Sequence, residues 1–316
     1  MNILRIAAGV AISAGLVAAV LLPAKSEPQK VVRIGFQKYG NLVLLKGTGW
    51  LDDRLARLGL KVEWKEFPSG PPLLEALNAG AIDFGHAGET PPIIAQAAGI
   101  PFVYAAYEPP APAGEAILVA TDSPIRTLAD LRGKKIALNK GSNVHYLLIR
   151  ALDSAGIKYS EIEPIYLAPA DARAAFERGT IDAWVIWDPF RAAAEAATGA
   201  RALVEGTGLA PNRQYYLARQ KFADTNPLAV EATLAAIADV DKWADGKEAT
   251  VAEKLSASIG IAAPVLEVAL KRQSYGVRAI DEAAIADQQR IADAFYALGL
   301  LPKQIVVAAA VWKRFQ

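Results

Sequence analysis

Cysteine is absent from this sequence. That excludes a disulfide framework and lipid attachment to an N-terminal cysteine. Stability must come from a packed core. Histidine is almost absent too, with only His86 and His145. The chain has no H-E-x-x-H, no G-x-S-x-G, no Walker loop and no G-x-G-x-x-G, so the common hydrolase, metalloprotease and nucleotide-binding patterns are missing. Neither sign of charge dominates, with 34 Lys and Arg against 33 Asp and Glu. A near-neutral balance argues against a nucleic-acid partner.

Only the N-terminus carries a long apolar run, from Ile6 to Leu22 behind the single charge of Arg5. Ala24-Lys25-Ser26 then supplies small residues around a cleavage point. This pattern predicts a secretory signal peptide over residues 1–26 rather than an uncleaved anchor. Of the 34 basic residues, losing Arg5 and Lys25 leaves 32, one fewer than the 33 acids.

What the sequence does contain, it contains twice. AGAIDFGHAGETPP (79–92) is echoed by RGTIDAWVIWDPF (178–190). Each has Gly, then X-Ile-Asp, an apolar run, an acid six positions after the Asp, and proline. RIGFQKYGNLVLLK (33–46) is echoed by KIALNKGSNVHYLLIR (135–150). Gln37-Lys38 matches Asn139-Lys140, at an offset of 102; Asp83 matches Asp182, at an offset of 99. Two motifs in one order at nearly one offset indicate duplicated architecture.

Each half reads as strand, loop, helix, then strand, helix, strand. KVEWKEF (61–67) and IEPIYLA (162–168) are the middle strands; PPLLEALNAG (71–80) and DARAAFERG (171–179) are helices closed by glycine. This alternation implies parallel sheets, in which ligands bind at the carboxyl ends of strands. Ile117–Ala120 and Gln214–Ala218 read as short strands linking the halves. Beyond residue 221 the pattern is helical, and a returning chain would pack there on the first half.

The repeated loops at the strand ends suit a small anion. Ser142 and Asn143 open a helix after Gly141. Gly40-Asn41 and Gly88-Glu89-Thr90, before Pro91-Pro92, have the same design. Free N–H groups and the helix dipole make such starts anion sites. Trp187, Tyr107 and Phe36 are candidates to wall an apolar group. Glu89 and the matching Asp188 resemble an acid–base pair, but no nucleophile or metal ligand accompanies them. Binding is therefore expected, not catalysis, with no cofactor and no metal. His86 reads as a core residue and His145 as a packing or capping residue of a helix start.

The residues also carry a family resemblance. IGFQKYGNLVLLK, WKEFPSGPPLLEALNAGAIDFGHAGETPPIIAQAAG, YEPPAPAGEAILV, SPIRTLADLRGKKIALNKGSNVHYLLIRAL, LAPADARAAFERGTIDAWVIWDPF and LGLLPKQI are similar to periplasmic aliphatic sulfonate-binding proteins of ABC importers. The resemblance implies an α/β fold of the two-lobed, type II periplasmic-binding-protein kind. Two parallel-rich sheets flanked by helices would be joined by two hinge strands. Residues 31–117 with 221–316 would form lobe 1, residues 122–214 lobe 2, and 118–121 with 215–220 the hinge. It further implies a periplasmic monomer that captures an organosulfonate and delivers it to a membrane permease. Nitrate, taurine or a pyrimidine precursor are the alternative ligands, and an enzyme on the same scaffold is the alternative class. The sulfonate head is expected on Ser142, Asn143 and Thr90, with Gln37 and Lys38 in reach and Trp187 and Tyr107 along the alkyl group. Glu89 stands where the family commonly has Asp.

Overall fold

The computed structural model describes residues 30–315, so the expected signal peptide lies outside it. The first half forms β1 (Val31–Phe36), α1 (Asn41–Thr48), α2 (Trp50–Ala56), β2 (Lys61–Glu66), α3 (Gly70–Asn78), β3 (Phe84–Gly88), α4 (Thr90–Ala97) and β4 (Phe102–Tyr107). The second half forms β5 (Glu115–Val119), β6 (Lys135–Leu138), α5 (Asn143–Ser154), β7 (Glu163–Tyr166), α6 (Pro169–Glu177), β8 (Ala183–Trp187), α7 (Phe190–Thr198) and β9 (Arg201–Glu205). Then come β10 (Gln214–Arg219), α8 (Gln220–Thr225), α9 (Pro227–Ala244), α10 (Glu248–Ile259), α11 (Ala263–Leu270) and α12 (Glu282–Ala297).

Two sheets result, ordered β2-β1-β3-β10-β4 and β7-β6-β8-β5-β9. They are copies of one plan. In each, β1/β2/β3 or β6/β7/β8 run parallel, and one reversed strand sits fourth: β10 between β3 and β4, β5 between β8 and β9. The central strand β8, AWVIW, is buried throughout, as expected where helices cover both faces. Edge strand β2 is half exposed. Edge strand β4 is fully buried, because Val311 and Arg278 bridge to Tyr104 and Tyr107 along its free side.

Each reversed strand is the first one after a crossing from the other sheet. The chain therefore crosses at residues 108–114 and 206–213. The sequence placed the crossings at 118–121 and 215–220, but Val119 and Tyr215–Arg219 already lie inside β5 and β10. A short apolar strand reads the same whether it links two sheets or pairs within one. The helices after β10 return to the first sheet, where α9 packs on α1 and α2. Leu42, Leu45, Leu51 and Leu55 meet Leu234 and Ile237 there in one apolar cluster. A second cluster holds Leu73 and Ile93 of the first half together with Ile117, Leu147 and Trp184 of the second.

The repeated Ile-Asp has a structural cause. The Arg33 N–H donates to Asp83 Oδ2 at 3.0 Å, and the Lys135 N–H to Asp182 Oδ2 at 2.7 Å. The Asp N–H returns a bond of 2.8 Å to the carbonyl of Arg33 or Lys135. Each Asp thus fixes the turn before its third strand against the first strand. Among the described residues, no single helix is long and apolar enough to cross a membrane.

Candidate functional site

In each sheet the parallel strands point their carboxyl ends at one edge. β1, β3, β6 and β8 end there, and α1, α4, α5 and α7 begin just beyond them. Because β5 and β10 run the other way, their first residues reach the same edge. Glu115 pairs with Trp187, and Gln214 with Gly88. The site is thus built from four helix starts and two reversed strands.

The two halves meet tightly at this edge. A Cβ on Gly88 would stand 2.7 Å from the Cβ of Asn143, and one on Gly141 2.8 Å from Ile94 Cδ1. The Asn143 amide donates to Glu115 Oε2 at 2.6 Å and to Asn212 Oδ1 at 3.0 Å. Asn212, in turn, donates its N–H to Glu89 Oε1 at 3.3 Å, and Arg213 donates its own to Oε2 at 2.7 Å. One chain of hydrogen bonds therefore joins Glu89 of the first half to Glu115 of the second through the crossing segment. Arg272, just past α11, reaches Asp188 Oδ2 at 3.4 Å and Glu195 Oε2 at 2.7 Å on the second half.

Burial governs the charges. It pushes Glu89 up to about 7 against the pull of the two N–H groups and Arg213. It pushes Asp188 up to about 6 although Arg272 opposes it. Glu115 rises well above the usual carboxylate range, through burial and then the charge of Glu89. Burial and the neighbouring Asp241 raise Glu108 in the same direction. Tyr39 stands among these four acids, and burial followed by their charges holds its hydroxyl protonated. Two small cavities flank it. Lys38, Asp188, Pro189 and Gln273 help line one; Glu108, Asn212, Gln214 and Gln273 help line the other.

The residues expected from sequence divide into groups. Lys38, Gly88, Glu89, Gly141, Asn143 and Asp188 come together where the halves meet, with Lys38 Nζ also donating to the Ile259 carbonyl at 3.0 Å. Thr90 opens α4, fully buried, and its hydroxyl meets no partner. Four others are engaged inside the scaffold. Gln37 donates to the His86 carbonyl at 3.0 Å. Asn41 donates to Asp241 Oδ1 at 2.5 Å. The Ser142 hydroxyl donates to the Asn139 carbonyl at 2.7 Å, so its proton is directed away from a ligand head. Trp187 is buried in the core, edge-on to Phe190.

Two candidate aromatic walls lie elsewhere. The Tyr107 hydroxyl donates to Asp281 Oδ2 at 2.7 Å, since β4 is the sheet edge facing α12. Phe36 packs edge-on against Trp64. His86 is buried and held neutral, its pKa pushed down to about 3 by burial. His145 accepts the Gly141 N–H at 3.3 Å on Nδ1, which fixes the glycine turn. Among the described residues, no cluster of three or more His, Asp or Glu is arranged to hold a metal ion. Sequence reasoning missed Tyr39, Glu115, Asn212, Gln214 and Arg272. Only Tyr39 and Glu115 had a local signal, inside QKYGN and PAGEAILV.

The Arg272 contacts tie the two halves directly. Arg272→Ala should weaken the closed arrangement by about 1–3 kcal/mol, less than for a fully buried pair because the guanidinium is 21 % exposed. Stopped-flow release of a bound ligand should accelerate by roughly five- to a hundred-fold. An unchanged release rate would show that these pairs contribute nothing to closure.

Comparison with known proteins agrees with this architecture. The model of the NMT1-like family matches residues 25–259. A relative from Escherichia coli (strain K12), named for binding aliphatic sulfonates, is 43 % identical over 295 residues, 93 % of this chain and 92 % of that protein. The crystal structure of the periplasmic aliphatic sulphonate binding protein SsuA from Escherichia coli superposes with a TM-score of 0.82 at 42 % identity, covering 90 % of this chain and 92 % of that one. The alkanesulfonate-binding protein SsuA from Xanthomonas axonopodis pv. citri, bound to MOPS, gives 0.86 at 41 % identity, covering 91 % and 99 %. The chain therefore belongs to the NMT1-like family and is similar over nearly its whole length to proteins named for binding aliphatic sulfonates.

Proposed function

We propose that this chain is an exported solute-binding protein that captures organosulfonates between its two lobes. It works in the periplasm as a monomer, without converting its ligand, and delivers it to the membrane permease of an ABC importer. The observation that carries this reading is the 41 % identity, over 91 % of the chain, to an alkanesulfonate-binding protein bound to MOPS, itself a sulfonate.

The site geometry supports the same reading. α5 brings its first-turn N–H groups to the junction from the second lobe, and α4 brings the Thr90 N–H and the unpartnered Thr90 hydroxyl from the first, since Pro91 and Pro92 have no N–H to offer. These groups are the head-site donors of the proposal, in place of the Ser142 hydroxyl. Titration calorimetry against methane- to hexanesulfonate, 2-aminoethanesulfonate, nitrate and sulfate tests it. Saturable one-to-one binding of sulfonates, with unchanged ligand recovered, is the expected result. Binding of nitrate or sulfate with no response to any sulfonate would overturn it.

A further inference from the structure

A captured sulfonate needs a place for its alkyl chain, and the aromatic walls expected from sequence do not provide one. Trp187 lies in the core, and Tyr107 is drawn to Asp281. Two cavities remain beside Tyr39. One is mostly polar, with Glu108, Asn212, Gln214 and Ser274 in its lining.

The other has an apolar wall. Val43 of α1, Leu255 and Ile259 of α10, and Leu266, Ala269 and Leu270 of α11 line it. Spacings of three and four residues put the α10 pair on one face of its helix and the α11 set on one face of the other. All six side chains are buried. Apolar interiors of this kind normally pack without gaps. Here a cavity of about 30 Å³ remains.

The charges at its edge are already engaged. Lys38 Nζ donates to the Ile259 carbonyl at 3.0 Å. Asp188 has Arg272 at 3.4 Å and the Ala192 N–H at 3.0 Å. Neither is left to draw in a second polar group, so the space suits an apolar occupant. Among the six wall residues Ala269 alone is small, so its side chain sets the depth. α11 also packs across α7 of the second half, so this wall moves into place as the lobes close.

We propose that this cavity is the alkyl subsite and that Ala269 is the specificity-determining residue that sets the preferred chain length. This rests on the sulfonate reading above and deepens it. The preferred guests are short alkanesulfonates, with about two or three water-sized groups of chain taken into the cavity.

The test is calorimetry on the purified protein against methane- to hexanesulfonate. Affinity should rise about four-fold for each carbon added while the chain still fits. The rise should stop at about propane- or butanesulfonate, where the cavity is full. Ala269→Leu fills the space, so its effect should grow along the series. The loss should be smallest for methanesulfonate and about five- to a hundred-fold for butanesulfonate. Leu266→Ala enlarges the space and should move the limit the other way, so that pentane- and hexanesulfonate gain on the shorter chains. A merely structural role for these residues would weaken every chain length alike. Should Ala269→Leu fail to fold, the wild-type series and Leu266→Ala still decide.

Equal affinity of the wild type for every chain length would overturn the proposal and leave the sulfonate reading standing. So would an Ala269→Leu loss that is the same for methane- and butanesulfonate. If no alkanesulfonate binds, the sulfonate reading falls and this inference with it.

Discussion

Asp83→Ala should destabilise the protein by about 3–5 kcal/mol, while Asp182→Ala should cost only about 1 kcal/mol, although the two residues occupy the same place in the repeated motif. Both accept a backbone N–H from the first strand of their sheet. Asp83 is also fully buried and receives two guanidinium groups, Arg33 Nε at 3.0 Å and Arg219 Nη2 at 2.6 Å. Arg219 closes β10, so this carboxylate locks the returning strand into the first sheet. Its loss leaves two partly buried cations facing each other without a counter-charge. Asp182 is exposed, and its one backbone bond is readily replaced by water. Urea unfolding of both variants, followed by circular dichroism, gives the comparison. Equal losses would mean that the Arg33 and Arg219 contacts add nothing to the shared backbone bond.

Gly88→Ala should leave the fold intact and still weaken ligand binding by roughly five- to a hundred-fold. Gly88 ends β3 in the first lobe, and a methyl group there would press on Asn143 of the second lobe, 2.7 Å from its Cβ. Overpacking of this kind typically costs about 1–3 kcal/mol. The cost falls only on the closed arrangement, because opening the lobes about the crossings separates the two residues. Thermal unfolding of the free protein should therefore change little. Small-angle scattering with saturating ligand should show a larger radius of gyration for Gly88→Ala than for the natural chain. Wild-type affinity in this variant would show either that the lobes do not close on one another here or that Asn143 moves aside freely.

The sequence by itself determined the repeated unit. Strand and helix periods are local, so Ile34-Gly35-Phe36, the AIDFGHAG and TIDAWVIW strands and the helices after residue 226 were legible as elements. The order of those elements implied two parallel-rich sheets and put the expected site at the strand ends, because that rule depends only on strand direction. The α/β, two-sheet architecture and the family follow from the same repeated stretches.

Tertiary structure decided what the repeat does not encode. No local pattern marks β5 and β10 as reversed, since their direction is set by pairing with β8, β9, β3 and β4 far along the chain. That reversal carries Glu115 and Gln214 to the site and moves the crossings to 108–114 and 206–213. Arg272 joins them only because α11 packs across α7. The same packing turned candidates away. Tyr107 went to the start of α12 and the Ser142 hydroxyl to its own glycine turn, because each found a hydrogen-bond acceptor within the fold. Asp83 and Asp182 show the division most plainly. One motif fixes both backbones alike, and only the strand that returns beside Asp83 decides that it is buried between two arginines while Asp182 faces water.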